Sequence, residues 1–164
     1  MKYILDTNII SEIVKPRPDF NTISWIQDHT DDVAITSVSL EELYFGIFLM
    51  PDGKRKQSLK ESIDAIVKDC TDRTLAFDAF CGYLCAEVHA AARKAGHAGT
   101  IEDFMIAAIC LRHNATLVTR NVKDFDYVDG LDIIDPYTYE SPVLAELKRR
   151  EAERQQGRKR GKRA

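Results

Sequence analysis

Five side chains carry oxygen donors at positions where they can converge: Asp6, Glu42, Asp103, Asn121 and Asp124. Asp6 directly follows the apolar run Tyr3-Ile4-Leu5, and Asn121 and Asp124 follow Thr116-Leu117-Val118-Thr119. Glu42 lies in the first turns after Ser37-Val38-Ser39, and Asp103 comes three residues after Thr100. Carboxylate and amide oxygens are hard donors. Brought together they suit Mg²⁺ or Mn²⁺, with room left for water and a substrate phosphate. Each acid also has a purely architectural reading. Asp6 can cap a helix, and both Ser39-x-x-Glu42 and Thr100-x-x-Asp103 have the spacing of a capping box. Context tilts two of them toward chemistry. Glu42 has Val38, Phe45 and Gly46 as helical neighbours, and Asp103 opens a stretch whose next eight residues are apolar. Ionised carboxylates are costly to bury without a cation, and no basic residue is an evident partner for either.

These acids meet only if strands and helices alternate, and the pattern says they do. Strands are expected at 3–5, 33–35, 73–77, 116–119 and 131–134. Helices are expected at 9–14, ending at the Pro16-Arg17-Pro18 break, and at 19–29. A third runs through Leu40, Leu43, Tyr44 and Ile47, capped by Ser37 or Ser39. After the Pro51-Asp52-Gly53 turn come an amphipathic helix over 54–68 and an Ala-rich one over 78–94, closed by Gly96. The helix capped by Thr100 is apolar on every side and belongs in the interior. Strand alternating with helix implies an α/β fold, a mostly parallel sheet with helices on both faces. Ligands of such sheets sit at the carboxyl ends of the strands, where Asp6, Asn121 and Asp124 fall.

Composition sets the outer bounds. The chain has 164 residues, 45% hydrophobic and 30% charged, which excludes a disordered chain, a collagen-like chain and a disulfide scaffold. No apolar run is long enough for a membrane span, and Asp6 interrupts the N-terminal apolar stretch too early for a signal peptide. Net charge is −3, but residues 148–164 carry +7 and the remaining 147 residues carry −10. Residues 1–137 read as one compact domain, and 138–164 as a helical extension, solvated over 143–156, with a basic tail expected to be disordered. A basic tail on an acidic body is a candidate RNA-binding arm. Cys70, Cys81, Cys85 and Cys110 form no CxxC pair and read as core residues of a protein in the reducing cytoplasm.

Four segments occur in order: Leu5-Asp6-Thr7-Asn8-Ile9-Ile10-Ser11, Ser37 through Ile47, Asp103-Phe104-Met105-Ile106-Ala107-Ala108, and Leu117 through Phe125. Together they resemble the PIN-domain family, and within it the VapC-type toxins of toxin–antitoxin modules. The resemblance covers roughly residues 1–136. It implies a three-layer sandwich with a central, mostly parallel sheet and an Mg²⁺-dependent endoribonuclease held inactive by a cognate antitoxin. It also implies a homodimer with no membrane association, touching DNA only through the antitoxin. By motif position, Asp6 and Asp103 match the family's metal-binding acids. Glu42, not Glu41, matches the third, because it precedes the Leu-aromatic pair and stands four residues before the glycine. Thr119-x-Asn121 stands where many relatives have Thr-x-Asp. Either Asn121 or Asp124 therefore fills the fourth position, and a second metal stays open. Thr119 and Asn121 would orient water or phosphate.

Two other readings remain. A phosphatase with Asp6 as nucleophile, like the haloacid-dehalogenase family, would need an acid where Asn8 stands. A catalytically weak PIN-like binding module, acting through an antitoxin–operator complex, need not keep all three acids. His29, His89, His97 and His113 lie outside the four segments, and no phosphate-binding GxxxxGK[ST] loop or GxSxG elbow is present. Tyr44, Phe45 and Phe48 are expected in the core or at a dimer contact. The groups Lys15/Arg17, Lys54-Arg55-Lys56 and Arg120/Lys123 are candidates to track phosphates.

Overall fold

The computed structural model describes residues 1–143, 145, 146, 149 and 150. The basic tail and the greater part of the expected C-terminal extension lie outside the described residues; residues 142, 143, 145, 146, 149 and 150 are helical. Five strands, β1 (Tyr3–Leu5), β2 (Val33–Thr36), β3 (Thr74–Leu75), β4 (Thr116–Val118) and β5 (Ile133–Ile134), form one sheet in the order β3-β2-β1-β4-β5. Every pairing is parallel. The helices are α1 (Thr7–Ile13), α2 (Phe20–Asp28), α3 (Ser37–Leu49), α4 (Lys54–Asp69), α5 (Ala79–Ala95) and α6 (Ile101–His113).

The two-residue period of the strands divides the core. Ile4, Ala34 and Leu117 face one side, where α5 and α6 supply Cys81, Cys85, Val88, Ala92, Ile106 and Ile109. Tyr3, Leu5, Val33, Ile35 and Val118 face the other and pack on Ile9, Ile10, Trp25, Leu43, Ile47 and Ile63. The result is a three-layer sandwich. The expected interior helix is α6, with Phe104 and Ile106 through Cys110 all buried. All four cysteines are buried and free, and burial pushes their thiols up, the inert direction. Among the described residues no helix is long and apolar enough to cross a membrane.

Three expectations need correction. The strand expected over 73–77 is only Thr74–Leu75, because a short 3₁₀ turn at Thr71–Arg73 takes its first residue and Asp78 already caps α5. The cap of α3 is neither Ser37 nor Ser39 but Thr36, the last residue of β2, whose Oγ1 accepts from the Ser39 N–H at 2.9 Å. Of the two places expected for Tyr44, Phe45 and Phe48, the core is ruled out for Phe45 and Phe48, which are 58% and 64% exposed, while Tyr44 donates to Asp64 Oδ1 at 2.8 Å.

Candidate active site

The sheet order brings the ends of β1, β2 and β4 side by side. Pairing Leu5 with Val118 sets Asp6 beside Thr119, and the Asp6 N–H continues the ladder to the Val118 carbonyl at 2.9 Å. Asp6 is also the N-cap of α1. Its Oδ1 accepts from the Thr7 N–H at 2.7 Å, and its Oδ2 from the Thr119 hydroxyl at 2.6 Å and from Asn8 Nδ2. Asn8 Nδ2 also donates to Thr119 Oγ1 at 3.0 Å, and the Asn121 N–H donates to the same hydroxyl at 2.9 Å. Thr119 is fully buried and its one proton is committed to Asp6. It therefore aims the carboxylate, while Asn121 enters the network through its backbone.

Glu42 reaches the same edge from α3. Because Thr36 and Ser39 bond each other, with 2.9 Å between their hydroxyl oxygens, the Ser39–Glu42 capping box does not form. Glu42 Oε2 instead accepts from the Thr7 hydroxyl at 2.6 Å. Glu42 is half-buried and Glu41 is exposed. Asp103, half-buried at the start of α6, does complete a capping box with Thr100. All its capping bonds fall on Oδ2, from the Thr100 N–H at 3.0 Å and hydroxyl at 2.9 Å. The other carboxylate oxygen is left for another partner. Asp124 is exposed in the 3₁₀ turn Val122–Asp124 after β4.

The electrostatics tie these positions together. Burial pushes the Asp6 carboxyl above its ordinary range, and the negative charges of Asp103 and Asp124 push it further, against the Thr119 and Thr7 hydrogen bonds. Burial does the same to Glu42, reinforced by the charges of Asp6, Asp103 and Glu102. No Lys or Arg forms an ion pair with Asp6, Glu42 or Asp103 among the described residues. Nor do any three His, Cys, Asp or Glu side chains there close into a ready-made metal cage. The donor set still fits a hard cation of the Mg²⁺ type, which takes oxygen ligands and keeps room for waters and substrate phosphate. Asp6, Glu42 and Asp103 share an uncompensated negative field that a divalent cation would neutralise.

Beside Glu42 opens a cavity of about 670 Å³ between α1, α3 and α4. Thr7, Lys15 and Arg55 border it with apolar Leu43, Ile47 and Leu59. Gly46 lies on its wall, with nothing within 4 Å of where a Cβ would stand.

Sequence reading had left out two parts of this constellation. Thr7 and Asn8 hold Glu42 and Asp6 in place, and their only signal was a run of polar residues directly after a strand. Glu12, at the far end of α1, is 4% exposed and accepts from Lys15, from the Tyr137 hydroxyl at 2.6 Å and from the Asp19 N–H at 2.8 Å. These partners hold its carboxyl down at about 2.

The family model for the PIN domain matches residues 3–131. The chain is 36% identical over 136 residues to plasmid stability protein StbB of Pseudomonas syringae, covering 82% of this chain and 97% of that one. It is 32% identical to VapC ribonuclease Y4jK of Sinorhizobium fredii, covering 82% and 96%. Among solved structures, FitAcB from Neisseria gonorrhoeae superposes with a TM-score of 0.76 at 29% identity, covering 83% of this chain and 99% of that one. VapBC2 from Rickettsia felis, bound to a fragment of its promoter DNA, gives 0.71 at 26% identity, covering 82% and 98%.

Proposed function

The chain belongs to the PIN domain family, and we propose that it is the ribonuclease toxin of a toxin–antitoxin pair, cutting RNA endonucleolytically in a divalent-metal-dependent reaction. The observation that carries this reading is Asp6: a buried carboxylate at the sheet edge, held by neutral donors, under the charges of Asp103 and Asp124. Such a group is costly as a structural element and suited to a cation.

Asp6, Glu42 and Asp103 would hold Mg²⁺ or Mn²⁺. When bound, that ion polarises a phosphate oxygen and lowers the pKa of water so that hydrolysis runs at neutral pH. The protein's own part is positioning. Thr119 and Asn8 fix the Asp6 carboxylate, Thr7 fixes Glu42, and the Thr100 cap fixes Asp103. Asn121 and Asp124, on the loop after β4, would orient the RNA backbone or the attacking water. The compact domain ends near residue 137 and the remainder is an extension. The buried thiols suit the reducing cytoplasm.

A cognate antitoxin is the protein partner. The solved relative VapBC2, bound to a fragment of promoter DNA, carries the name of the VapBC family of toxin–antitoxin systems. By analogy this chain meets DNA only through its antitoxin. Exposed Phe45, Phe48, Leu49, Phe80 and Tyr83 supply apolar surface for a second copy of the chain. The test is cleavage of RNA by the purified full chain with Mg²⁺, with Mn²⁺ and with EDTA, next to Asp6→Asn. Cleavage that needs the metal and Asp6 supports the reading; equal cleavage by Asp6→Asn overturns the site. A chain that captures antitoxin and operator DNA but never cuts RNA would be the binding module instead.

A further inference from the structure

Several basic side chains among the described residues are already paired with carboxylates. Lys15 is paired with Glu12, Lys56 with Asp52, Lys60 with Asp64 and Arg112 with Asp78. Arg120 is different. It follows Thr119 directly, is exposed, and has no carboxylate within ion-pair distance among the described residues. Its backbone N–H donates to Asn8 Oδ1 at 3.3 Å, and Asn8 in turn donates to Asp6 and Thr119. The root of the side chain is therefore two hydrogen bonds from the central carboxylate. Its guanidinium carbon lies 4.7 Å from the centre of the Tyr137 ring. Tyr137 is itself held at both ends: its hydroxyl donates to Glu12 at 2.6 Å, and its carbonyl accepts from Asn21 Nδ2 at 2.8 Å.

One guanidinium N–H is directed at the Tyr137 oxygen, and the remaining donors of a guanidinium lying over an aromatic face stay open as a planar fork that suits phosphate oxygens. Holding it in advance reduces the side-chain entropy lost on binding. We propose that Arg120, propped on Tyr137, grips an RNA backbone phosphate next to the scissile one and so positions the strand for cleavage. The inference rests on the ribonuclease reading and adds to it two residues, one of which, Tyr137, lies beyond the matched residues 3–131. Arg120 touches substrate; Tyr137 acts through it and is a positioning residue.

The experiment measures binding of a fluorescein-labelled single-stranded RNA to full-length protein carrying Asp6→Asn, so that the RNA stays intact, over a series of salt concentrations. Arg120→Ala should weaken binding about tenfold, as expected for one charge-assisted contact, and reduce the log–log salt slope by about 0.7. Arg120→Lys should recover the slope but only part of the affinity. Tyr137→Leu should weaken binding severalfold, and adding it to Arg120→Ala should cost nothing more. Tyr137→Phe, which keeps the ring, should bind within about twofold of its parent. With Asp6 restored, Arg120→Ala should raise KM far more than it lowers kcat. If the Arg120→Ala protein keeps its parent's affinity and slope while the natural chain cuts RNA, the proposal is wrong and the ribonuclease reading stands. If tyrosine and arginine losses simply add, the prop is wrong. If the natural chain neither binds nor cuts RNA with Mg²⁺ or Mn²⁺, both fall.

Discussion

Helix α1 separates two carboxylates that expose equally little surface, Asp6 the more deeply set, and that behave oppositely. Asp6, before its first residue, is 5% exposed, and Glu12, near its last turn, is 4% exposed. Glu12 has a cation, a phenol and a backbone N–H, and its pKa is held down at about 2. Asp6 has two side-chain donors and one N–H, all neutral, and its pKa is pushed up by burial and by neighbouring acids. Burial alone does not tell a structural carboxylate from a functional one; the charge of its partners does. Glu12 fastens α1 to the start of α2 and to the Pro136–Thr138 turn, whereas Asp6 is left with negative charge to spend on something outside the chain.

The comparison is broken most directly by removing each charge in turn. Asp6→Asn, and likewise Asp103→Asn, should lower RNA cleavage by more than about 100-fold, beyond the range seen for groups that only support metal ligands. Glu12→Gln should leave cleavage within a few fold. Glu42→Gln should be nearly as severe as Asp6→Asn. Matched rates at saturating Mg²⁺ decide it, and an inactive Glu12→Gln protein that is still folded would erase the distinction.

Stability should reverse the order. Glu12→Gln should cost about 1–3 kcal/mol in urea unfolding, the loss expected for hydrogen bonds to a charged group. Metal-free Asp6→Asn should match or exceed the natural chain, because it removes an uncompensated buried charge. Adding Mn²⁺ or Mg²⁺ at about 100 times its dissociation constant should stabilise the natural chain by about 2.7 kcal/mol. Glu12→Gln should keep that increment, and Asp6→Asn should lose most of it. An unchanged melting temperature in millimolar metal would count against the carboxylate site.

Acid titration separates the two by sign. The folded pKa of Glu12, about 2, lies below its ordinary 4.5. Its contribution is therefore complete above about pH 4.5 and is lost as pH falls through about 2. Asp6 and Glu42 are shifted upward from 3.8 and 4.5. What they contribute is complete below those values and is lost as pH rises through their higher folded values. Urea midpoints from pH 7 to pH 2 should show Glu12→Gln flattening the acid-side loss. Asp6→Asn without metal should gain most near neutral pH and nothing below about pH 3.8. The smallest effect belongs to exposed Glu41: Glu41→Gln should change cleavage less than about twofold and stability within about 0.5 kcal/mol. A Glu41 variant worse than its Glu42 counterpart would overturn the register of α3.

Local spacing determined a large part of this protein. The alternating elements, the Thr100–Asp103 capping box and Gly96 at the end of α5 all follow from periods and caps spanning a few residues, whereas the preference for Glu42 over Glu41 rests on the family resemblance. Local spacing also places Asp6 at a strand end, where a parallel sheet collects its ligands. Tertiary structure alone decided the long-range partners of the acids. Thr119 meets Asp6 across 113 positions, Thr7 meets Glu42 across 35, and Tyr137 meets Glu12 across 125. It also displaced the local Ser39–Glu42 box, because β2 runs into α3 at Thr36 and the Thr36 hydroxyl takes the Ser39 pair first. The physical reason is the sheet order. Only when β1 lies between β2 and β4 do three distant strand ends become neighbours, and no period along the chain encodes which strands pair.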